Sequence, residues 1–154
     1  MKLLTQALKG ILLIPAALFT VSLTVSRVNA QSQIYSPVSL PDNQEITDSL
    51  SSQDIPTGFG GFARDYTIEL KSGDQVAIDV ISNEFDTLVS LMTPDGATIG
   101  ENDDGPDGTT NSLLFARITE AGLYTVRVRS YAGQGEGEFL LKLARLRPVN
   151  EVRP

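Results

Sequence analysis

DYTIELKSGDQVAIDV, residues 65–80, carries the clearest structural signal in the chain. Tyr66, Ile68 and Leu70 alternate with Thr67, Glu69 and Lys71. Ser72-Gly73-Asp74 interrupts the pattern, and Val76, Ile78 and Val80 then alternate with Ala77 and Asp79. Two period-two segments about a Gly-Asp turn read as a β-hairpin with one buried face.

The same signature recurs on both sides. Glu45 to Ser51 reads as a first strand, and Thr57 to Phe62 as a loop. Thr87 to Met92 is a strand, Thr93-Pro94-Asp95-Gly96 a tight turn, and Ala97 to Gly100 a short continuation. Ser112 to Ile118 is again extended, and Glu120-Ala121-Gly122 turns the chain. Tyr124, Val126 and Val128 alternate with Thr125, Arg127 and Arg129. Gly133, Gly135 and Gly137 lie in what reads as a hairpin loop, with neither the helix nor the Lys of a phosphate-binding loop. Phe139, Leu141 and Leu143 mark the last strand. About eight short strands without a helix predict an all-β fold, a two-sheet antiparallel β-sandwich with jelly-roll-like winding. No internal repeat is present. Phe59, Phe62, Phe85, Tyr124 and Phe139 are the expected core aromatics.

The flanks differ in character. Lys2 and Lys9 precede an apolar run from Ile11 to Val25, and Val28-Asn29-Ala30 fits a signal-peptidase site. The run is short for a bilayer span, and no Cys follows it to take a lipid anchor. The expected organisation is a signal peptide at 1–30, a flexible leader at 31–44, a β-sandwich at 45–146 and a tail at 147–154. The protein is thus expected outside the cytoplasm, secreted or periplasmic, and free of the membrane after cleavage.

Charge narrows the partners. The chain carries 12 basic and 19 acidic residues, a net charge of −7. Lys2, Lys9 and Arg27 lie before the cleavage site, so residues 31–154 carry a net −10. Such a surface repels nucleic acid and anionic lipid and favours cations. The sequence contains no Cys, His or Trp. The usual bases and nucleophiles of catalysis are therefore missing, and crowded carboxylates in an exposed Gly-rich loop are poorly placed to flank a sugar.

GENDDGPDGTTNS, residues 100–112, holds the candidate site. Asn102, Asp103, Asp104, Asp107 and Asn111 offer hard oxygens, and Asp86 approaches if the strand from Thr87 pairs with the strand ending near Gly100. Calcium takes roughly six to eight such oxygens at about 2.3–2.6 Å. An EF-hand is excluded: counted from Asp103, Gly105 falls at position 3 and Leu114 at position 12. The other reading is a solvated turn, because Asp, Asn and Gly satisfy turn geometry on their own.

Arg117, Arg127 and Arg129 fall on outward faces of strands, with Lys142 nearby. They read as cross-strand pairing and edge protection, or as a site for an anionic partner. Tyr131 at a loop tip is a contact residue for a ligand such as a polysaccharide, a reading that the missing Trp weakens.

Together these residues resemble the bacterial pre-peptidase C-terminal domain. The strand-turn-strand of Asp65 to Val76, Phe85-Asp86 before an apolar strand, and the Pro94-Asp95-Gly96 turn follow its order. So do Asn102-Asp103-Asp104, Asn111-Ser112, Gly122-Leu123-Tyr124 and the closing Gly137-Glu138-Phe139, where Phe139 replaces the usual Tyr. The resemblance runs over residues 45–145. It implies a jelly-roll module of the kind usually fused behind a secreted protease. It is related to the collagen-binding domains of collagenases, which bind calcium and extracellular protein. The expectation is a non-catalytic, monomeric module for extracellular binding or stabilisation. Calcium is its expected cofactor, and an extracellular protein, a polysaccharide or a secreted peptidase its expected partner. The alternative is a structural cell-envelope protein without a specific ligand.

Overall fold

The computed structural model describes residues 35–106 and 108–146. The expected signal peptide, residues 31–34 of the leader, the tail at 147–154 and the candidate ligand Asp107 lie outside the described residues.

Ten strands form two sheets: β1 (Val38–Ser39), β2 (Glu45–Leu50), β3 (Ile55–Pro56), β4 (Phe62–Leu70), β5 (Gln75–Ile81), β6 (Thr87–Met92), β7 (Thr98–Asn102), β8 (Ser112–Arg117), β9 (Gly122–Ser130) and β10 (Gly137–Leu146). One sheet has the order β1-β4-β9-β6-β7, with β3 also on β4, and the other has the order β2-β10-β5-β8. The pairs are nested: β6 with β7, β5 with β8, β4 with β9, and β2 with β10. Successive pairs alternate between the sheets, which is jelly-roll winding. The eight nested strands match the expected number, and the two-residue β1 and β3 are additions on the edge of β4.

This winding corrects two local readings. β4 and β5 do not form a hairpin, because they lie in opposite sheets. Their link holds itself together, with Lys71 N–H donating to Asp74 Oδ2 at 2.9 Å and Asp74 N–H to the Lys71 carbonyl at 3.0 Å. It is then tied to the chain after β8 by Gly73 N–H to the Ile118 carbonyl and Ile118 N–H to the Asp74 carbonyl, both 2.8 Å. The Gly133–Gly137 segment is likewise a link between sheets rather than a hairpin loop. Period-two alternation shows which face of a strand is buried, and two strands facing each other across a core alternate just as two paired neighbours do. Residues 93–97 do join a hairpin, with Thr93 N–H donating to the Ala97 carbonyl and Gly96 N–H to the Thr93 carbonyl, both 2.9 Å, and residues 57–61 join the short β3 to β4 in another.

The core sits between the inner faces. Tyr66, Ile68 and Leu70 of β4 and Tyr124, Val126 and Val128 of β9 meet Val76, Ile78 and Val80 of β5 and Phe139, Leu141 and Leu143 of β10. Leu40, placed in the leader by sequence, is buried in this core, and Val38 and Ser39 pair in parallel with Tyr66 and Thr67. The folded unit therefore begins before Glu45. Phe85, Tyr124 and Phe139 are buried as expected, and Phe62 is half-buried against them. Phe59 is a correction: it is 93% exposed. Its Gly-rich neighbours carry it past the sheet edge, leaving unrealised the roughly 1.5–3 kcal/mol that burial of such a ring contributes.

A polar clamp ties the sheets together at one side. Arg64 donates from Nε to Asp48 and from Nη1 to Asp54, each at 2.7 Å, and the Tyr66 hydroxyl donates to Asp48 at 2.9 Å. Burial first, and then Asp48, push the Tyr66 phenol far above its ordinary value, so it stays a neutral donor. Asp48→Ala strands the buried hydroxyl and is expected to lower stability by about 1–3 kcal/mol. Urea unfolding checks this, and adding Tyr66→Phe should recover part of the loss.

Candidate functional site

One end of the sandwich collects the links 82–86, 103–111 and 131–136. The first is organised by Ser82. Its hydroxyl donates to the Glu138 carbonyl at 2.7 Å and accepts the N–H groups of Glu84 at 3.0 Å and Phe85 at 3.3 Å. Thr87 N–H donates to the Thr110 carbonyl at 3.0 Å, and the Thr87 and Ser112 hydroxyls bond at 2.6 Å. Tyr131 N–H donates to the Asp86 carbonyl at 2.8 Å, which brings in the third link.

The six sequence candidates take different places. Asn102 ends β7, and its amide donates to the Leu113 carbonyl at 2.9 Å and to the Asp104 carbonyl. Asn111 precedes β8, and its Oδ1 accepts Ser82 N–H at 3.1 Å. Both asparagines brace the loop. Asp86 stands at the entry to β6 with a buried Oδ1 that has no hydrogen-bond partner among the described residues. Burial first, and then the charges of Asp104 and Asp103, push its carboxyl above the ordinary value. Asp86, Asp103 and Asp104 thus share one electrostatic neighbourhood. Among the described residues no three acidic side chains converge on one point in ligating geometry. An open groove of about 480 Å³ runs beside Asp86 and is also lined by Glu84, Thr110 and Asn111.

The arginines divide. Arg127 and Arg129 lie on β9, whereas Arg117 on β8 and Lys142 on β10 belong to the other sheet, so the four do not share one face as a site for an anionic partner would need. Arg127 pairs with Asp65 through Nε at 2.7 Å and Nη2 at 2.8 Å, and Asp65 is only 3% exposed. Asp65, Arg127, Ser90 and Glu101 stand opposite one another on four adjacent strands. Ser90 Oγ–H donates to Glu101 at 2.6 Å and Arg129 Nη2 donates to the same oxygen at 3.0 Å. These two partners, Ser90 the stronger, hold the Glu101 carboxyl below its ordinary value. Cross-strand pairing is therefore what Arg127 and Arg129 do. Sequence reasoning missed Glu101 and Ser90. The available signal was the outward phase of β6 and β7, readable only once their register with β9 is known.

The fold is that of a small jelly-roll β module with an acidic loop at one end of the sandwich. Residues 63–130, from β4 through β9, match the family model of the bacterial pre-peptidase C-terminal domain, so the resemblance drawn from the sequence holds over that span. The pre-peptidase C-terminal domain of a collagenase from Bacillus anthracis has a similar structure, with a TM-score of 0.55 at 14% identity over 70% of this chain and 94% of that one. PliG from Aeromonas hydrophila, a periplasmic inhibitor of g-type lysozyme, is similar at TM-score 0.55 and 15% identity over 71% of this chain and 96% of its own. PliG from Salmonella Typhimurium gives 0.50 at 11% identity, covering 71% and 98%. At these identities the likeness is one of fold. No curated protein matches the sequence significantly.

Proposed function

We propose that this chain is an exported, non-catalytic binding module that works outside the cytoplasm and takes a calcium ion at its acidic loop. The observation that carries the calcium reading is the buried Asp86 Oδ1, unpartnered among the described residues, beside the charges of Asp103 and Asp104. A buried carboxylate oxygen without a donor is unfavourable, and a divalent cation relieves both its desolvation and the repulsion around it. Asp86, Asp103 and Asp104 would hold the ion, with Asn102 and Asn111 positioning the loop and Asp107 a further candidate. Asp104 is exposed and Asp103 half-buried, and each offers hard carboxylate oxygens. The ion would rigidify the end of the sandwich.

Calcium titrated calorimetrically into EDTA-treated protein is expected to give saturable heat that Asp104→Ala abolishes. At a hundredfold excess over Kd, calcium would raise stability by about 2.7 kcal/mol. An unchanged melting curve at millimolar calcium would sink this reading.

Asp86→Asn gives a second check. The carboxyl is raised in the folded state, so its ionised form opposes folding at neutral pH, and the opposition fades as pH falls through the folded value. Without calcium, Asp86→Asn should therefore be more stable than the parent at neutral pH, with the difference shrinking on acidification. With calcium the order should reverse.

A second reading, an accessory module for a secreted peptidase, is favoured by the family match over residues 63–130. A change in the rate or substrate range of a co-secreted peptidase on adding this chain would support it.

A further inference from the structure

Asp86 and the 57–61 loop that carries Phe59 are joined by a short, unbroken run of backbone contacts. We infer that the two form one coupled unit: an ion taken at Asp86 seats the 57–61 loop more firmly, and a seated loop in turn tightens the ion. The inference rests on the calcium reading for its input, whereas the path between the two places is part of the fold.

The path begins at the Asp86 carbonyl, which accepts the Tyr131 N–H at 2.8 Å. Tyr131 opens the tight turn Tyr131–Gly133, which Gln134 N–H closes on the Tyr131 carbonyl at 3.2 Å. Within this turn Ala132 has φ +51°, a left-handed conformation that a residue with a Cβ keeps only where its surroundings impose it. Gly133 then meets the other loop. A Cβ on Gly133 would lie 2.5 Å from the Gly60 carbonyl carbon, and one on Gly61 would lie 2.8 Å from the Gly133 Cα. Backbone rests on backbone at this contact, with no rotamer to absorb a displacement, so movement of one segment carries to the other.

The link after β9 is pinned to the Asp86 segment twice more. A Cβ on Gly135 would stand 2.5 Å from Phe85 Cβ, and Glu84 Oε2 accepts the Glu138 N–H at 2.8 Å. Residues 84–86 and 131–138 are thereby tied into one body. The 57–61 loop is fastened mainly to itself, Thr57 N–H donating to the Gly61 carbonyl at 3.2 Å and the Thr57 hydroxyl to the Gly60 carbonyl. Phe59, 93% exposed, adds little packing to hold it. The position of the loop thus depends on its seat at Gly133.

The input lies at the other end of the path. The buried Asp86 Oδ1 has no hydrogen-bond partner among the described residues, and the charges of Asp103 and Asp104 act on its carboxyl. Repulsion among these carboxylates works against a fixed Asp86, and a bound cation draws them together and fixes it. Coupling is reciprocal, so whatever calcium does for the loop, the loop does for calcium. Calcium would then govern how firmly a binding module presents Phe59.

The test is 15N NMR and calorimetry on the full chain, with calcium and with EDTA, for the parent, Gly61→Ala and Gly58→Ala. Both glycines have positive φ, +69° and +79°, but a Cβ on Gly58 would meet nothing within 4 Å, so only Gly61→Ala lifts the loop from its seat. In the parent and in Gly58→Ala, calcium is expected to shift the amides of 58–61 along with those of 84–86 and to raise their order parameters. Gly61→Ala should lose the response at 58–61 and bind calcium about fivefold or more weakly. Calcium heat with shifts at 84–86 but none at 58–61, or equal affinity in the two variants, overturns the coupling and leaves the calcium reading standing. No heat and no shift in the parent removes the calcium reading and with it the ion as input. Asp86→Asn in EDTA reads the path without metal or loop variant: it should shift the 58–61 amides, and the coupling fails if they stay in place.

Discussion

Phe139→Ala is expected to lower the unfolding free energy by about 3–5 kcal/mol, a large share of the roughly 5–15 kcal/mol that holds a domain together. Phe139 is almost wholly buried on β10 and meets two rings edge-on: Tyr66 at 6.3 Å and 83°, and Phe85 at 6.2 Å and 81°. Tyr66 belongs to the opposite sheet, and Phe85 to the link that carries Asp86. Truncation thus opens a cavity where both sheets and the site-bearing link meet, and the rigid strands around it relax only partly. Phe139→Leu, which keeps most of the volume, should lose far less. Equilibrium urea unfolding distinguishes them through the midpoint. A Phe139→Ala variant within about 1 kcal/mol of the parent would show that this junction does not hold the core. On the calcium reading proposed above, Phe139→Ala should also weaken calcium binding, because the Asp86 link loses its anchor.

The second large effect is expected at Gly133. Its φ is +69°, and a Cβ there would lie 2.4 Å from the Gly60 carbonyl oxygen and 2.5 Å from its carbon. Two penalties combine in Gly133→Ala. A left-handed conformation in a residue with a Cβ costs about 1–2 kcal/mol, and forcing two backbones apart adds about 1–3 kcal/mol. The total is on the order of 2–5 kcal/mol. Gly96→Ala separates the two effects, since Gly96 has φ +86° and a Cβ there would meet nothing within 4 Å. It should show the conformational part alone. Equal losses in the two variants would mean that the 57–61 loop simply yields to the methyl group. The expected inequality would instead establish that this loop is seated against the backbone of the link after β9.

Much of the architecture was readable along the chain. Tyr66, Ile68 and Leu70, then Val76, Ile78 and Val80, alternate because each strand has one face on the core, and all six are buried. The Thr93–Gly96 turn was readable because its residues make their own bonds. Thr93 Oγ1 accepts Ala97 N–H at 3.0 Å, whatever the rest of the chain does. The acidic loop was visible as composition. Which of its residues brace and which remain unpartnered was not. Asn111 is a brace because Ser82, 29 residues earlier, comes to it, and the Asp86 carboxylate is disfavoured because its Oδ1 is buried and Asp103 and Asp104 arrive from a distant segment.

Partnership between strands was beyond local reading for the same reason. The hairpin expected at 65–80 is a passage between sheets because β4 finds β9, and β5 finds β8 and β10, each far away in sequence. Leu40 enters the core and Phe59 leaves it according to where β4 lies relative to their segments, not according to their own hydrophobicity. Residue type and alternation decide what each segment must do with water, since burial acts on each side chain separately. Nested pairing, the Asp65–Arg127–Ser90–Glu101 row and the Asp86 cluster arise only when distant strands close on one another. Their energies belong to contacts between segments and leave no mark within any one of them.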